Sequence, residues 1–137
     1  MLVPKKVKHR KWQKGRSRGR KVETRGTTLA YGTVGLKATT GAWMNGRQIE
    51  AARRAISNFV KREGKLWIRI FPDKPVTQKA EGVTLGGGKG DVREYVFPVR
   101  PGRILFELDG LAPEVAKEAL RHASFKLPVR TKIVSEE

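Results

Sequence analysis

The first 26 residues cannot fold by themselves, and this limits what the rest of the chain can build. They carry Lys5, Lys6, Lys8, Arg10, Lys11, Lys14, Arg16, Arg18, Arg20, Lys21 and Arg25 against one acid, Glu23. Leu2, Val3, Val7, Trp12 and Val22 supply most of their apolar bulk. That is too little to offset backbone ordering, which costs about 1–2 kcal/mol per residue. Residues 1–26 therefore read as a basic arm, disordered when alone in solution, and residues 27–137 must hold the folded domain. Single domains usually run to roughly 100–200 residues, so one modest core is expected.

The whole chain shares this imbalance. Its 30 Lys and Arg face 13 Asp and Glu, a formal charge of +17, and its isoelectric point lies near 10.9. Self-repulsion on that scale calls for a polyanion, and a phosphate backbone supplies one while releasing its condensed counterions. A membrane surface would call for a basic amphipathic helix with an apolar opposite face, or a lipidation motif, and neither is present. No apolar run approaches the roughly 20 residues that span a bilayer. Charges also occupy the N-terminal stretch where a signal peptide would be apolar, so a cytoplasmic protein without a membrane partner is expected. Cysteine is absent, which excludes disulfides, thiolate metal sites and cysteine nucleophiles. His9 sits in the arm and His122 on a predicted helix, so no metal site, cofactor site or Ser/His/Asp set is signalled.

From Thr27 the composition turns β-branched and aromatic, and 27–32 and 34–40 read as strands. At Asn45 the period becomes helical: Ile49, Ala52, Ile56, Phe59 and Val60 recur at spacings of three and four up to about Glu63. Asn45 suits the N-cap, Lys61 and Arg62 suit the C-terminal end of the dipole, and Gly64 suits a left-handed cap. In the strand Lys65–Phe71, Leu66, Ile68 and Ile70 share one face, while Trp67, Arg69 and Phe71 share the other. After Pro72 and Pro75 no clear period returns until Val92, so 72–91 reads as an extended glycine-rich loop of a kind usually functional or disordered. Strands at 92–99 and 103–108 follow, joined through Pro101-Gly102. A helix then opens at Pro113 with Ala116, Ala119, Leu120 and Ala123 as its buried stripe, and the last strand is 129–134. The pattern predicts an α+β fold: one compact domain of mixed, mostly antiparallel strands with two helices.

Three constellations carry binding chemistry. The arm interleaves cations with Gly15 and Gly19, so arginine forks can meet phosphate oxygens along an irregular groove. Trp12 is placed to stack on a base or to pack on protein. On the first helix Arg47, Arg54 and Lys61, flanked by Arg53 and Arg62, form a cationic ridge. The plain alternative is an exposed helix face, favoured by Glu50 four residues before Arg54. Gly86-Gly87-Gly88-Lys89-Gly90 is no Walker loop, because Val83 and Gly90 occupy the defining positions and no helix follows to receive phosphates. It reads instead as a thin finger able to enter narrow spaces between nucleic-acid strands. Two rivals share these features. One is a free-standing RNA or DNA chaperone, and the other an enzyme acting on RNA through Glu107, Asp109 and Glu114.

Several long strings carry a family resemblance. Met1-Leu2-Val3-Pro4-Lys5 opens the chain, Arg47-Gln48-Ile49-Glu50-Ala51-Ala52-Arg53-Arg54 marks the helix, and Gly64 to Pro75 reads Gly-Lys-Leu-Trp-Ile-Arg-Ile-Phe-Pro-Asp-Lys-Pro. Pro101 to Glu107 and Lys126 to Lys132 follow in the same order. Along nearly its whole length the chain resembles the bacterial large-subunit ribosomal protein family numbered sixteen. The resemblance implies a structural constituent of the large ribosomal subunit, not an enzyme, lodged in large-subunit ribosomal RNA beside neighbouring ribosomal proteins. It further implies a helper in positioning tRNA at the aminoacyl site, with the peptidyl-site tRNA left open as a contact. Lys5, Lys6, Lys8, Arg10, Lys11, Lys14, Arg16, Arg18, Arg20, Arg47, Arg53, Arg54, Lys61, Arg69 and Lys74 are the expected ribosomal-RNA contacts. Thr84, Leu85, Gly86, Gly87, Gly88, Lys89 and Gly90 form the expected tRNA-proximal tip. That tip departs from the family, which usually has Arg-Met-Gly-Lys-Gly-Lys-Gly there. Thr84 replaces an arginine hydroxylated in some members, Gly87 replaces a lysine, and the Glu94-Tyr95 pair is displaced by one residue. The modification does not carry over, and the tip should hold RNA more weakly than usual.

Overall fold

A computed structural model describes residues 2–15 and 21–136. Its elements run β1 (Val34–Ala38), β2 (Ala42–Asn45), α1 (Gly46–Val60), β3 (Lys65–Ile68), β4 (Lys74–Gln78), β5 (Asp91–Val99), β6 (Ile104–Asp109), α2 (Pro113–Ser124) and β7 (Thr131–Ser135). A four-stranded sheet has the order β3-β6-β1-β7, and a three-stranded sheet the order β2-β5-β4. Every strand pairing is antiparallel. The expected α+β class, with two helices and one compact domain, is what the chain forms.

Alternation along the strands of the larger sheet decides where the core lies. Val34, Leu36, Leu66, Ile68, Phe106, Leu108 and Ile133 belong to the apolar cluster that Ile49, Ala52 and Ile56 of α1 and Ala116, Ala119, Leu120 and Ala123 of α2 complete. Asn45 caps α1 through a reciprocal box: its side chain accepts from the Gln48 N–H at 2.9 Å, and the Gln48 side chain accepts from the Asn45 N–H at 3.0 Å. α2 starts with Pro113 in its first turn and has no side-chain cap.

Several sequence expectations need correction. α1 ends at Val60, and its left-handed C-cap is Lys61, at φ 52°, followed by Arg62 at 63°; Gly64, at 73°, is left-handed as expected but lies beyond the cap. Gly64 serves a tighter purpose. A Cβ there would lie 2.6 Å from the Asp109 carbonyl oxygen, so only glycine lets the chain pass this close on its way into β3. The expected strand at 65–71 stops at Ile68. The stretch 72–91 is not loop throughout, because β4 pairs with β5 along its first part. Pro75 hides it from sequence reading, yet β4 is an edge strand, where a missing N–H is tolerated. β5 and β6, joined through Pro101-Gly102 as expected, lie in different sheets, so that turn is where the chain passes from one sheet to the other.

Residues 27–32 form no strand. The N–H groups of Ala30, Tyr31 and Gly32 all donate to Glu107 Oε1, at 2.9, 3.0 and 3.1 Å. Successive N–H groups of a strand point in opposite directions, so three converging on one oxygen demand a nest-like turn. The segment crosses the larger sheet on the face away from the helices, directly above Gly35, where a Cβ would lie 2.5 Å from the Leu29 side chain.

Candidate nucleic-acid interface

Lys5, Lys6, Lys8, Arg10 and Lys14 are exposed and Lys11 is half-buried. Arg16, Arg18 and Arg20 lie outside the described residues. The arm is held chiefly by its backbone. Leu2 packs on the core, Lys74 Nζ donates to the Lys14 carbonyl at 2.9 Å, and Lys89 Nζ donates to the Trp12 carbonyl. At its far end the Glu23 N–H donates to the Pro101 carbonyl at 2.9 Å. Arg103 adds bonds to the Arg25 and Arg69 carbonyls at 3.4 and 3.0 Å. Carbonyls thus do much of the anchoring, and among the described residues most of the arm's cationic side chains are exposed to solvent, where phosphate can meet them.

Two clefts open between the arm and the smaller sheet. One, of about 460 Å³, has Lys14, Lys21, Lys74 and Arg100 in its walls beside Trp43. The other, of about 620 Å³, has Arg10, Arg47 and Arg93 around the start of α1. Lys21, Arg93 and Arg100 were not among the expected contacts. Period-two exposure along β5 was the available signal for Arg93, whereas Arg100 becomes relevant only when the arm folds back onto the sheet.

The helix ridge has an acid beside its middle. Arg47, Arg54 and Lys61 are all exposed; Arg53 hydrogen-bonds Glu50 through Nε at 2.9 Å, and Arg54 approaches the same carboxylate at 3.4 Å. The Arg53 hydrogen bonds, helped by the nearby charges of Arg53 and Arg54, hold the Glu50 carboxyl below its ordinary range. Arg69 is directed inward: it pairs with Glu107 Oε2 at 3.1 Å and donates to the Thr28 carbonyl at 2.8 Å. Lys74, besides binding the arm, sits 4.4 Å from the Trp43 ring centroid. These side chains assemble the surface.

The loop tip 84–89 is exposed, Leu85 at 94%. Gly86, Gly87 and Gly88 have φ of 102°, 77° and 99°, with open space where a Cβ would stand. Backbone conformation, not crowding, explains glycine here. Lys79 Nζ braces the tip by donating to the Gly86 carbonyl. Lys11 Nζ donates to the Lys89 carbonyl at 3.3 Å, so arm and loop tip are joined by reciprocal lysine–carbonyl bonds.

The carboxylates suggested for an enzyme have structural places. Glu107 is fully buried beneath 27–32, Asp109 accepts from the Gly110 N–H at 2.8 Å, and Glu114 stands in the first turn of α2. Among the described residues no helix is long and apolar enough to cross a membrane. Cations along an arm, around two clefts and at both ends of a helix define a basic α+β protein suited to a polyanion. The chain matches the family described as Ribosomal protein L16p/L10e over residues 4–134 and belongs to it. It is a structural, ribosomal-RNA-binding protein of the large subunit, located in the ribosome in the cytoplasm.

Proposed function

We propose that the arm, the two clefts and the exposed ends of α1 grip large-subunit ribosomal RNA, while loop residues 84–90 reach tRNA at the aminoacyl site and help to position it. The observation that supports this most is the union of arm and loop at Lys11, Trp12 and Lys89. Phosphate contacts that order the arm would through it also orient the loop, which has few attachments of its own. Contacts are mainly to phosphate and RNA shape, so affinity should fall steeply with salt. Lys89 is tied to the arm, and the tip lacks two cations common in the family, so tRNA contact rests on backbone and on loop placement.

The test is crosslinking of the tagged protein in its own cells, with attached RNA sequenced and crosslinks mapped by chain position. Arm and cleft residues should crosslink to large-subunit RNA and residues 84–90 to tRNA. Arm crosslinks scattered over messages or DNA would overturn the ribosomal-RNA assignment. A loop that crosslinks only to ribosomal RNA would overturn the tRNA role.

A further inference from the structure

We propose that Tyr31, stacked on Trp67 and held beside Arg69, is a platform for one unpaired RNA base. The proposal rests on the RNA-binding reading and adds to it a site outside the arm, the clefts and the loop.

Lys65, Trp67 and Arg69 follow one another at every second position along β3 and its exit, while Leu66 and Ile68, between them, pack against the core. The three therefore share the face away from the helices. Tyr31 lies over this row. Its ring centroid is 5.9 Å from that of Trp67 with the planes 19° apart, and the Arg69 guanidinium is 5.6 Å from the Tyr31 centroid. Lys65 Nζ stands 5.9 Å from the Trp67 ring. Tyr31 is 61% exposed despite these neighbours, so much of its ring is open to solvent.

A surface tyrosine is ordinarily mobile, but this one is held. Its own N–H and those of both neighbours donate to the fully buried Glu107. Gly32 runs so close to Leu108 that a Cβ would lie 2.5 Å from the Leu108 carbonyl oxygen. A base stacking on Tyr31 meets a surface already in place, so little conformational freedom is lost on binding. An exposed aromatic face, with the exposed Lys65 beside its Trp67 partner, matches an unpaired nucleotide, which offers a π-face and a phosphate together. A base-paired stretch hides its base faces and would not use the site.

The test titrates full-length protein with a short single-stranded RNA and with a duplex of equal length, across a range of salt. Tyr31 and Trp67 ring signals are followed by NMR, and affinities are compared for wild type, Tyr31→Ala and Tyr31→Phe. Both ring signals should shift with the single strand only. Tyr31→Ala should weaken single-strand binding by about tenfold, the equivalent of one lost base stack, and leave duplex binding unchanged. Tyr31→Phe should bind as wild type. Wild type that binds neither RNA would overturn the RNA-binding reading and the platform with it. If wild type binds both RNAs but the rings do not shift, the platform alone is overturned. An unchanged single-strand affinity in Tyr31→Ala, or equal loss on both RNAs, has the same meaning.

Discussion

Replacing Glu107 by alanine should destabilise the fold by about 3 kcal/mol, the scale of a broken buried ion pair. Glu107 is fully buried and its Oε1 accepts three backbone N–H groups at 2.9–3.1 Å. A hydrogen bond to a charged group contributes about 1.5–3 kcal/mol, but three donors sharing one oxygen do not add in full. The donors also belong to a segment in which Ala30 and Tyr31 are exposed, so water can reach them once that segment lifts. The ion pair adds to the loss, because Arg69 is only 16% exposed and would keep its charge without a carboxylate partner. Glu107 Oε2 makes no hydrogen bond, its 3.1 Å approach to Arg69 being poorly aligned, which keeps the total nearer one strong interaction than several. Glu107→Gln retains an acceptor for the N–H groups and should cost about 1–2 kcal/mol. Urea unfolding at neutral pH, followed by tryptophan fluorescence and circular dichroism, gives both values. A double-mutant cycle with Arg69→Ala should show coupling of about 1 kcal/mol or more. A loss below about 1 kcal/mol in Glu107→Ala, with no coupling to Arg69, would refute the view that this carboxylate clamps residues 27–32.

Two further predictions concern packing and pH. Gly32→Ala should destabilise more than Gly35→Ala in the same assay. A Cβ at position 32 meets the backbone oxygen of Leu108 at 2.5 Å, whereas at 35 the nearest obstacle, also at 2.5 Å, is the end of the Leu29 side chain, which can rotate; losses of about 2–3 and 1 kcal/mol respectively are expected. Glu50 titrates below its ordinary range because of Arg53, so its contribution is complete above the unfolded carboxyl value, about 4.3, and is lost as pH falls through the folded one. Wild type should exceed Glu50→Gln by a few tenths of a kcal/mol at neutral pH, and the two stability curves should converge on acidification.

Charge and periodicity are local properties, and what they reported was legible without coordinates. The apolar stripes of both helices, the Asn45 cap, the core face of β3 and the polycationic arm all follow from residues near one another in sequence. Family strings such as Gly64 to Pro75 added the ribosomal assignment. What was missed depends on distant partners. β4 was read as loop because Pro75 breaks its pattern, and only its position at a sheet edge makes that proline acceptable. Residues 27–32 have strand composition, but a carboxylate about 75 positions away, Glu107, turns three of their N–H groups the same way.

The same division separates binding chemistry from binding geometry. The sequence by itself determined that this chain is a polycation with one small α+β core, because net charge and apolar period are summed over residues whatever their arrangement. Only the tertiary structure decided which cations are available. It directs Arg69 onto Glu107, Lys74 onto the Lys14 carbonyl and Lys89 onto that of Trp12, and it brings Arg93 and Arg100 to the cleft walls. The physical reason is that a cation's partner is whatever anion or carbonyl lies within a few ångströms, and that distance is set by the packing of segments far apart along the chain.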